Sequence, residues 1–179
     1  MRITSGQLKG RKIQLPKSIR PTQDKVRKAI FDILGDIEGL SFLELYAGSG
    51  AVGFEAASRG VKELVLVENH PDSIKVLQSN CTYLLHATYY LLPLDSTEAI
   101  KRLHKDRKRF DIIFMDPPYY LGLSKKTLQI LEACDILAPN GLIIVQHFKK
   151  DALPDPLGDL TLLRQKKYGD TLLSIYKKS

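Results

Sequence analysis

The stretch FLELYAGSGAVGFEAASRG, residues 42–60, decides how this chain is read. Phe42 to Leu45 is a short apolar strand, a turn of small residues follows, and the sequence from about Ala51 to Ser58 favours a helix. Gly48, Gly50 and Gly53 stand at G-x-G-x-x-G spacing, which lets a backbone approach a ligand at a helix N-terminus. Glu44 is delivered toward the same place by the strand. A carboxylate there repels a diphosphate and welcomes a ligand that carries a cation, so the glycines alone do not name the ligand.

Outward from this stretch, strands and helices alternate. The pattern predicts strands at Phe42 to Leu45, Glu63 to Val67, Thr88 to Leu92, Phe110 to Met115 and Leu142 to Gln146. Between them it predicts helices at about Ala51 to Ser58, Pro71 to Asn80, Ser96 to His104 and Ser124 to Leu137, with Pro139-Asn140-Gly141 as a turn before the last of these strands. That alternation is the mark of an α/β fold with a largely parallel sheet covered on both faces. Leu160 to Tyr168 and Thr171 to Lys177, separated by Gly169-Asp170, predict a hairpin that closes the sheet with an antiparallel strand.

Upstream, Arg2 to Thr4 and Arg11 to Leu15 predict a small β-hairpin. Thr22 is placed to cap a helix whose apolar stripe is Val26, Ala29, Ile30, Ile33 and Leu34. Residues 1–39 are thus expected as a basic appendage, and residues 40–179 as the core, in one structural unit. Residues 1–30 carry nine Lys or Arg against the single acid Asp24, a net +8, whereas the other 149 residues net −1. Charge so confined points to a polyanion contacted from one side, with Arg11, Lys12, Arg20, Lys25, Arg27 and Lys28 as candidate nucleic-acid contacts.

At 179 residues and 44% apolar content the chain is expected to form one ordinary core. No run of 18 apolar residues appears, and MRITSGQLKG lacks the apolar centre of a signal peptide, so a cytoplasmic protein that avoids membranes is expected. Cys81 and Cys134 are read as free thiols. The four histidines show neither triad nor metal spacing, and no metal is expected. The run Lys101 to Arg109 leads into the amino end of a strand, away from the ligand edge, and is read as a solvated face.

In doubly wound sheets a ligand lies beyond the carboxyl ends of the strands. Glu44, Glu68, Asp95 and Asp116 follow or end four of the predicted strands there. Glu68, 20 residues after Gly48, is placed to take ribose hydroxyls, although an acid at this position or at Asp95 can equally cap the next helix. Asp116-Pro117-Pro118-Tyr119 is the most specific motif. Two prolines after a buried strand fix an extended backbone and remove two N–H donors, leaving carbonyls to accept. Asp116 and the Pro117 carbonyl would each accept one N–H of a planar amine and draw it toward tetrahedral geometry, while Tyr119 stacks on the base.

These motifs resemble the bacterial guanine-N2 methyltransferases of small-subunit ribosomal RNA, the RsmD-like group, which use S-adenosylmethionine. The likeness covers MRITSGQLKGRKI, RPTQDKVRKAIFDIL, LELYAGSGAVGFEAASRG, LVLVEN, DPPYY and KKYGDTLLSIYK. It implies a Rossmann-like class I methyltransferase fold with a mostly parallel seven-stranded sheet. It also implies a preference for small-subunit rRNA in a partly assembled 30S particle; a monomer is expected. By the resemblance, Glu44 and the turn Gly48, Ser49 and Gly50 hold the methionine part of the cofactor, Glu68 the ribose, and Asp95 with Ser96 the adenine edge, with Tyr46 and Asn69 as further cofactor-binding residues. Asp116, Pro117, Pro118 and Tyr119 would hold the guanine, with Asp116 also bordering the cofactor. Such proteins often end the fifth strand in glutamate, where this chain has Gln146-His147. A nicotinamide-dependent oxidoreductase leaves Glu44, the DPPY loop and the basic arm unexplained, and a noncatalytic RNA-binding assembly protein leaves the glycine cradle idle. Within methyltransferases, DNA adenine or protein glutamine is the alternative acceptor, because DPPY serves any planar amine.

Overall fold

The computed structural model describes residues 1–16, 24–84, 88–119 and 122–178. In chain order the elements are α1 (Asp24–Leu34), β1 (Ser41–Leu45), α2 (Ala51–Ser58), β2 (Glu63–Val67), α3 (Pro71–Leu84) and β3 (Tyr89–Leu92). They continue with α4 (Ser96–Lys105), β4 (Phe110–Met115), α5 (Leu123–Cys134), β5 (Leu137–Phe148), β6 (Leu160–Tyr168) and β7 (Thr171–Lys178). The seven strands form one sheet in the order β3-β2-β1-β4-β5-β7-β6, parallel from β3 to β5 and antiparallel at β7 and β6.

The alternation of side chains along β1 and β4 sorts the core into two layers. Phe42, Leu64, Leu66, Ile112, Phe114 and Ile144 face α1, α2 and α3, while Leu43, Leu45, Val65, Ile113, Met115 and Val145 face α4 and α5. Both faces are apolar because helices cover both, which is why these strands read as continuous apolar runs. Register then sets the site: Glu44 lies beside Phe114 across β1 and β4, and Met115 lies beside Val145 across β4 and β5. One step further, Asp116 and Gln146 emerge together on the face that carries Glu44.

The predicted N-terminal hairpin is reduced to one antiparallel bridge, Arg2 with Lys12, extended by bonds from the Ile3 N–H to Arg11 and from the Ile13 N–H to Met1. Ile3 and Ile13 are buried in the layer that holds α1 and α2, each stabilising the docked segment by about 1.5–3 kcal/mol. The predicted cap Thr22, like Arg20, lies outside the described residues.

Three boundaries differ clearly from expectation, the first being α3, which runs on to Leu84 past the expected end at Asn80. Helix α5 stops at Cys134, not Leu137, because Asp135 turns left-handed at φ 47° and its N–H closes on the Leu131 and Glu132 carbonyls. Pro139-Asn140-Gly141, expected as a turn ahead of the strand, lies inside β5. Phe110 pairs with Leu137 and Ile112 with Leu142, so five steps of β5 match two of β4 and the three extra residues bulge, with Asn140 at φ 63°.

Candidate functional site

The sheet reverses its strand order between β1 and β4, and the carboxyl ends of β1, β2, β4 and β5 meet there. The turn after β1 is built to let backbone come close. Gly50 caps α2 with φ 74°, a conformation that favours glycine. Gly53 is required for a different reason: a Cβ there would lie 2.6 Å from Glu44 Oε2 and 2.6 Å from Leu66 Cδ2. Its N–H donates to Glu44 Oε2 at 2.8 Å. Glu44 is 3% exposed, and burial pushes its carboxyl up to about 8. The Gly53 and Val52 amides oppose that rise, while the charges of Asp116 and Glu68 add to it. Glu44 therefore lies beneath the first turns of α2 as a carboxyl that burial holds toward its neutral form, and a neighbouring positive charge would favour its ionisation.

Glu68 ties β2 to the cradle. Its Oε2 accepts the Gly48 N–H at 2.7 Å, and Oε1 accepts the Asn69 and His70 N–H groups at 2.9 and 2.8 Å. Oε1 thus has both lone-pair directions taken, whereas Oε2 keeps a second one, so a hydroxyl remains an acceptable partner there. Neither Glu44 nor Glu68 forms an ion pair among the described residues. Tyr46 sits at φ 59° and shares a hydrogen bond with Thr127 of α5 at 2.7 Å, so its ring is pinned at the mouth of the cradle. Ser49 is buried, and its carbonyl accepts from Asn80 Nδ2 at 3.3 Å.

Asp95, expected at the adenine edge, is the N-cap of α4: its side chain accepts the Thr97 N–H at 2.8 Å, and Ser96 behind it is buried. Of the two readings of this acid, the helix cap is the one observed; Asp95 is exposed, and one carboxylate oxygen suffices for the cap. Asp116 Oδ2 accepts from Gln146 Nε2 at 2.8 Å. Pro117 is buried and Pro118 exposed. Tyr119 packs its ring 5.8 Å from that of Phe148, tilted by 37°, and shares a hydrogen bond with Thr171 at 2.9 Å. The loop after β4 is thus held by the end of β5 and the start of β7.

The basic arm divides. Arg11, Lys12, Lys25 and Lys28 are exposed and stand as surface cations. Arg27 does not. It is 0% exposed, with its guanidinium bonded to the Arg2 carbonyl and Asp24 and its Nε 3.7 Å from Glu55 Oε2. Expected as an RNA contact, Arg27 is instead a buried clamp. A flanking position on a helix exposes a side chain only if nothing packs over it, and here residues 1–4 do.

Several functional neighbours were missed in the sequence. Phe148, the aromatic partner of Tyr119, lies two positions beyond Gln146, and Thr127 lies on a helix that no motif marks. Asn80 joins the arm to the cradle: it accepts the Gln14 N–H, donates to the Gln14 carbonyl, each at 3.0 Å, and reaches Ser49. Phe148 was findable by counting along the fifth strand, whereas Thr127 and Asn80 carry no sequence signal. His147, beside Gln146, turns to the opposite face. Ser174 receives a bond from Gln165 and can thus donate to His147 Nε2 at 2.8 Å, leaving His147 Nδ1 to donate to the Phe148 carbonyl. Burial lowers the imidazole's pKa, so this network carries a neutral histidine.

A seven-stranded sheet of this order, with a glycine cradle after its first strand and an acceptor-rich Asp-Pro-Pro-Tyr loop after its fourth, defines the class I methyltransferase fold. The solved structure of Escherichia coli yhhF superposes on it with a TM-score of 0.88 and 30% identity, covering 100% of this chain and 98% of that one. The chain belongs to the family described as Conserved hypothetical protein 95, whose model matches residues 1–177. Among curated relatives, Bacillus subtilis YlbH is 37% identical over 99% of each chain. Ribosomal RNA small subunit methyltransferase D of Escherichia coli is 32% identical, over 99% of this chain and 90% of that protein.

Proposed function

We propose that this chain transfers the methyl group of S-adenosylmethionine to the exocyclic N2 amine of a guanine in small-subunit ribosomal RNA. The observation that carries the reading is the Asp116-Pro117-Pro118-Tyr119 loop leaving the central strand beside the glycine cradle, at the point where strand order reverses. The residues of the cradle fit a cationic sulfonium donor. Two carboxyl groups, Glu44 and Glu68, lie buried there without an ion-pair partner among the described residues, and Gly53 lets the first turn of α2 pack directly on Glu44. When bound, the donor supplies an electrophilic methyl group.

The protein's own part is alignment. Asp116 and the Pro117 carbonyl accept the two N–H groups of the amine, localise its lone pair, and set it in line with the methyl group. Tyr119, braced by Phe148 and Thr171, supplies an aromatic face at the base. The spent proton leaves through Asp116 or to solvent, and no covalent enzyme intermediate is needed. Glu44 and the turn at Gly48 to Gly50 hold the methionine part, Glu68 the ribose, and Asp95 with Ser96 the adenine edge. Arg11, Lys12, Lys25 and Lys28 bind phosphates from the side of the arm. The acceptor particle is a partly assembled small subunit in the cytoplasm, met by a monomer. The name of the Escherichia coli relative supports the small-subunit RNA.

Labelled S-adenosylmethionine, incubated with the protein and small-subunit particles at successive assembly stages, tests donor, acceptor and stage together. Label in a guanine at its N2 is expected, and Asp116→Ala is expected to abolish turnover while leaving donor affinity within about twofold. Undiminished transfer by Asp116→Ala, or label in adenine or protein, refutes the reading.

A further inference from the structure

Gln146 stands at the edge of the proposed base site without a role in the chemistry so far. It is 6% exposed, emerges from β5 on the face that carries Glu44 and Asp116, and donates from Nε2 to Asp116 Oδ2 at 2.8 Å. Its other amide atom, Oε1, is buried and has no hydrogen-bond partner among the described residues. The orientation of this amide is dictated by its neighbour. Turned over, Oε1 would face a carboxylate oxygen and repel it, so the nitrogen belongs on Asp116 and the oxygen is the open atom. Both atoms belong to one planar amide, so Oε1 lies within about 5 Å of the same Asp116 oxygen. A desolvated acceptor left without a donor is costly, and such atoms are rare in folded proteins unless a ligand meets them.

Among the described residues, this end of β4 and β5 thus sets three acceptors close together: the Asp116 carboxylate, the carbonyl of Pro117, which has no N–H of its own, and Gln146 Oε1. Planar amines differ in what stands next to them. The N2 amine of guanine adjoins the N1–H, a second donor. The N6 amine of adenine, the N4 amine of cytosine and the side-chain amide of glutamine each adjoin an acceptor, which these three acceptors repel. We infer that Gln146 is a specificity-determining residue of this site, holding Asp116 in its accepting orientation through Nε2 and taking the guanine N1–H on Oε1. This rests on the guanine-N2 reading above and explains why that amine is selected over the alternatives that the Asp-Pro-Pro-Tyr loop alone admits.

The probe is 2-aminopurine, which keeps the 2-amine of guanine but carries a lone pair at N1 in place of the N–H. The methylated guanine is first mapped with the wild-type protein, and 2-aminopurine is then placed at that nucleotide in RNA reconstituted into the particle that serves as substrate. Wild type is expected to favour guanine by about ten- to a hundredfold in kcat/KM. Gln146→Met keeps the length and apolar stem but has no carbonyl acceptor, and is expected to narrow that preference to about threefold or less, with donor affinity unchanged as the sign of an intact cradle. Gln146→Glu keeps an acceptor oxygen and, with one proton shared between it and Asp116 Oδ2 in place of the Nε2 donor, is expected to retain the preference, which a merely structural role would not predict. Wild-type discrimination by Gln146→Met overturns the assignment while leaving the guanine reading in place. If that variant fails to fold, loss of the preference in folded Gln146→Glu overturns it equally. Absence of guanine methylation by the wild type would sink the functional reading, and this assignment with it.

Discussion

Replacing Glu55 by alanine is expected to detach the N-terminal segment from the body. Glu55 is 0% exposed; it accepts the Thr4 N–H at 2.8 Å, the Thr4 hydroxyl at 2.7 Å and Arg59 at 3.2 Å, and its charge lies 3.7 Å from Arg27 Nε. Its loss leaves the fully buried Arg27 guanidinium with Asp24 as its one ion-pair partner among the described residues, and the Asp24 side chain is 73% exposed, so its charge is screened by water. Arg59 retains its contact with the Phe31 ring, 4.5 Å from its centroid, and a path to solvent. Removing one partner of a buried pair costs about 3–5 kcal/mol, and the abandoned Thr4 donors place this case toward the upper end. For a chain of this length that corresponds to a fall in Tm of about 6–20 °C. Thermal and urea unfolding measure it, and salt-dependent binding to small-subunit RNA reports whether the arm has come loose while donor binding persists. Arg27→Met combined with Glu55→Leu removes both charges and is expected to be more stable than Glu55→Ala alone. A loss below about 1 kcal/mol in a folded Glu55→Ala protein would refute the claim that this carboxylate anchors the arm.

Four further outcomes follow from the same geometry. Gly53→Ala gains about 1 kcal/mol of helix propensity but presses a methyl group onto Glu44 Oε2 and Leu66, costing about 1–3 kcal/mol; reduced stability and weaker donor binding, measured by denaturation and calorimetry, are expected. Glu44, raised from 4.5 to about 8, is protonated more readily folded than unfolded, so its contribution to stability is full below about pH 4.5 and is lost as pH rises toward 8. Binding of a cationic donor should reverse that preference, releasing a proton between those values, which calorimetry in buffers of differing ionisation enthalpy detects; Glu44→Gln should abolish the release. Neutralising Arg11, Lys12 and Lys25 together is expected to weaken RNA binding and flatten its dependence on salt, whereas unchanged affinity across a salt series would remove the arm from the interface.

Much of the site was legible because a parallel sheet converts sequence order into spatial order. Once the five strands are placed, Glu44, Glu68, Asp95 and Asp116 must emerge from the same edge, and the 20-residue step from Gly48 to Glu68 becomes a direct hydrogen bond. The failures share a different cause. The helix expected to reach Leu137 stopped at Asp135 because a left-handed cap depends on a single residue's backbone, and Pro139-Asn140-Gly141 bulged within a strand because β4 holds the residues on either side of it. Arg27 was misplaced because burial of a cation is decided by what folds over it, here residues distant in helical position but adjacent in space.

The sequence by itself determined the class of fold, the glycine cradle, the acidic strand ends and the Asp-Pro-Pro-Tyr loop, since each rests on local periodicity or on residues within one turn. Only the tertiary structure decided which side chains face one another across the sheet. It paired Gln146 with Asp116, Phe148 with Tyr119, Asn80 with both the arm and the cradle, and Glu55 with Arg27. These pairings depend on strand register and on which helix covers which face, quantities that a linear pattern bounds but does not set.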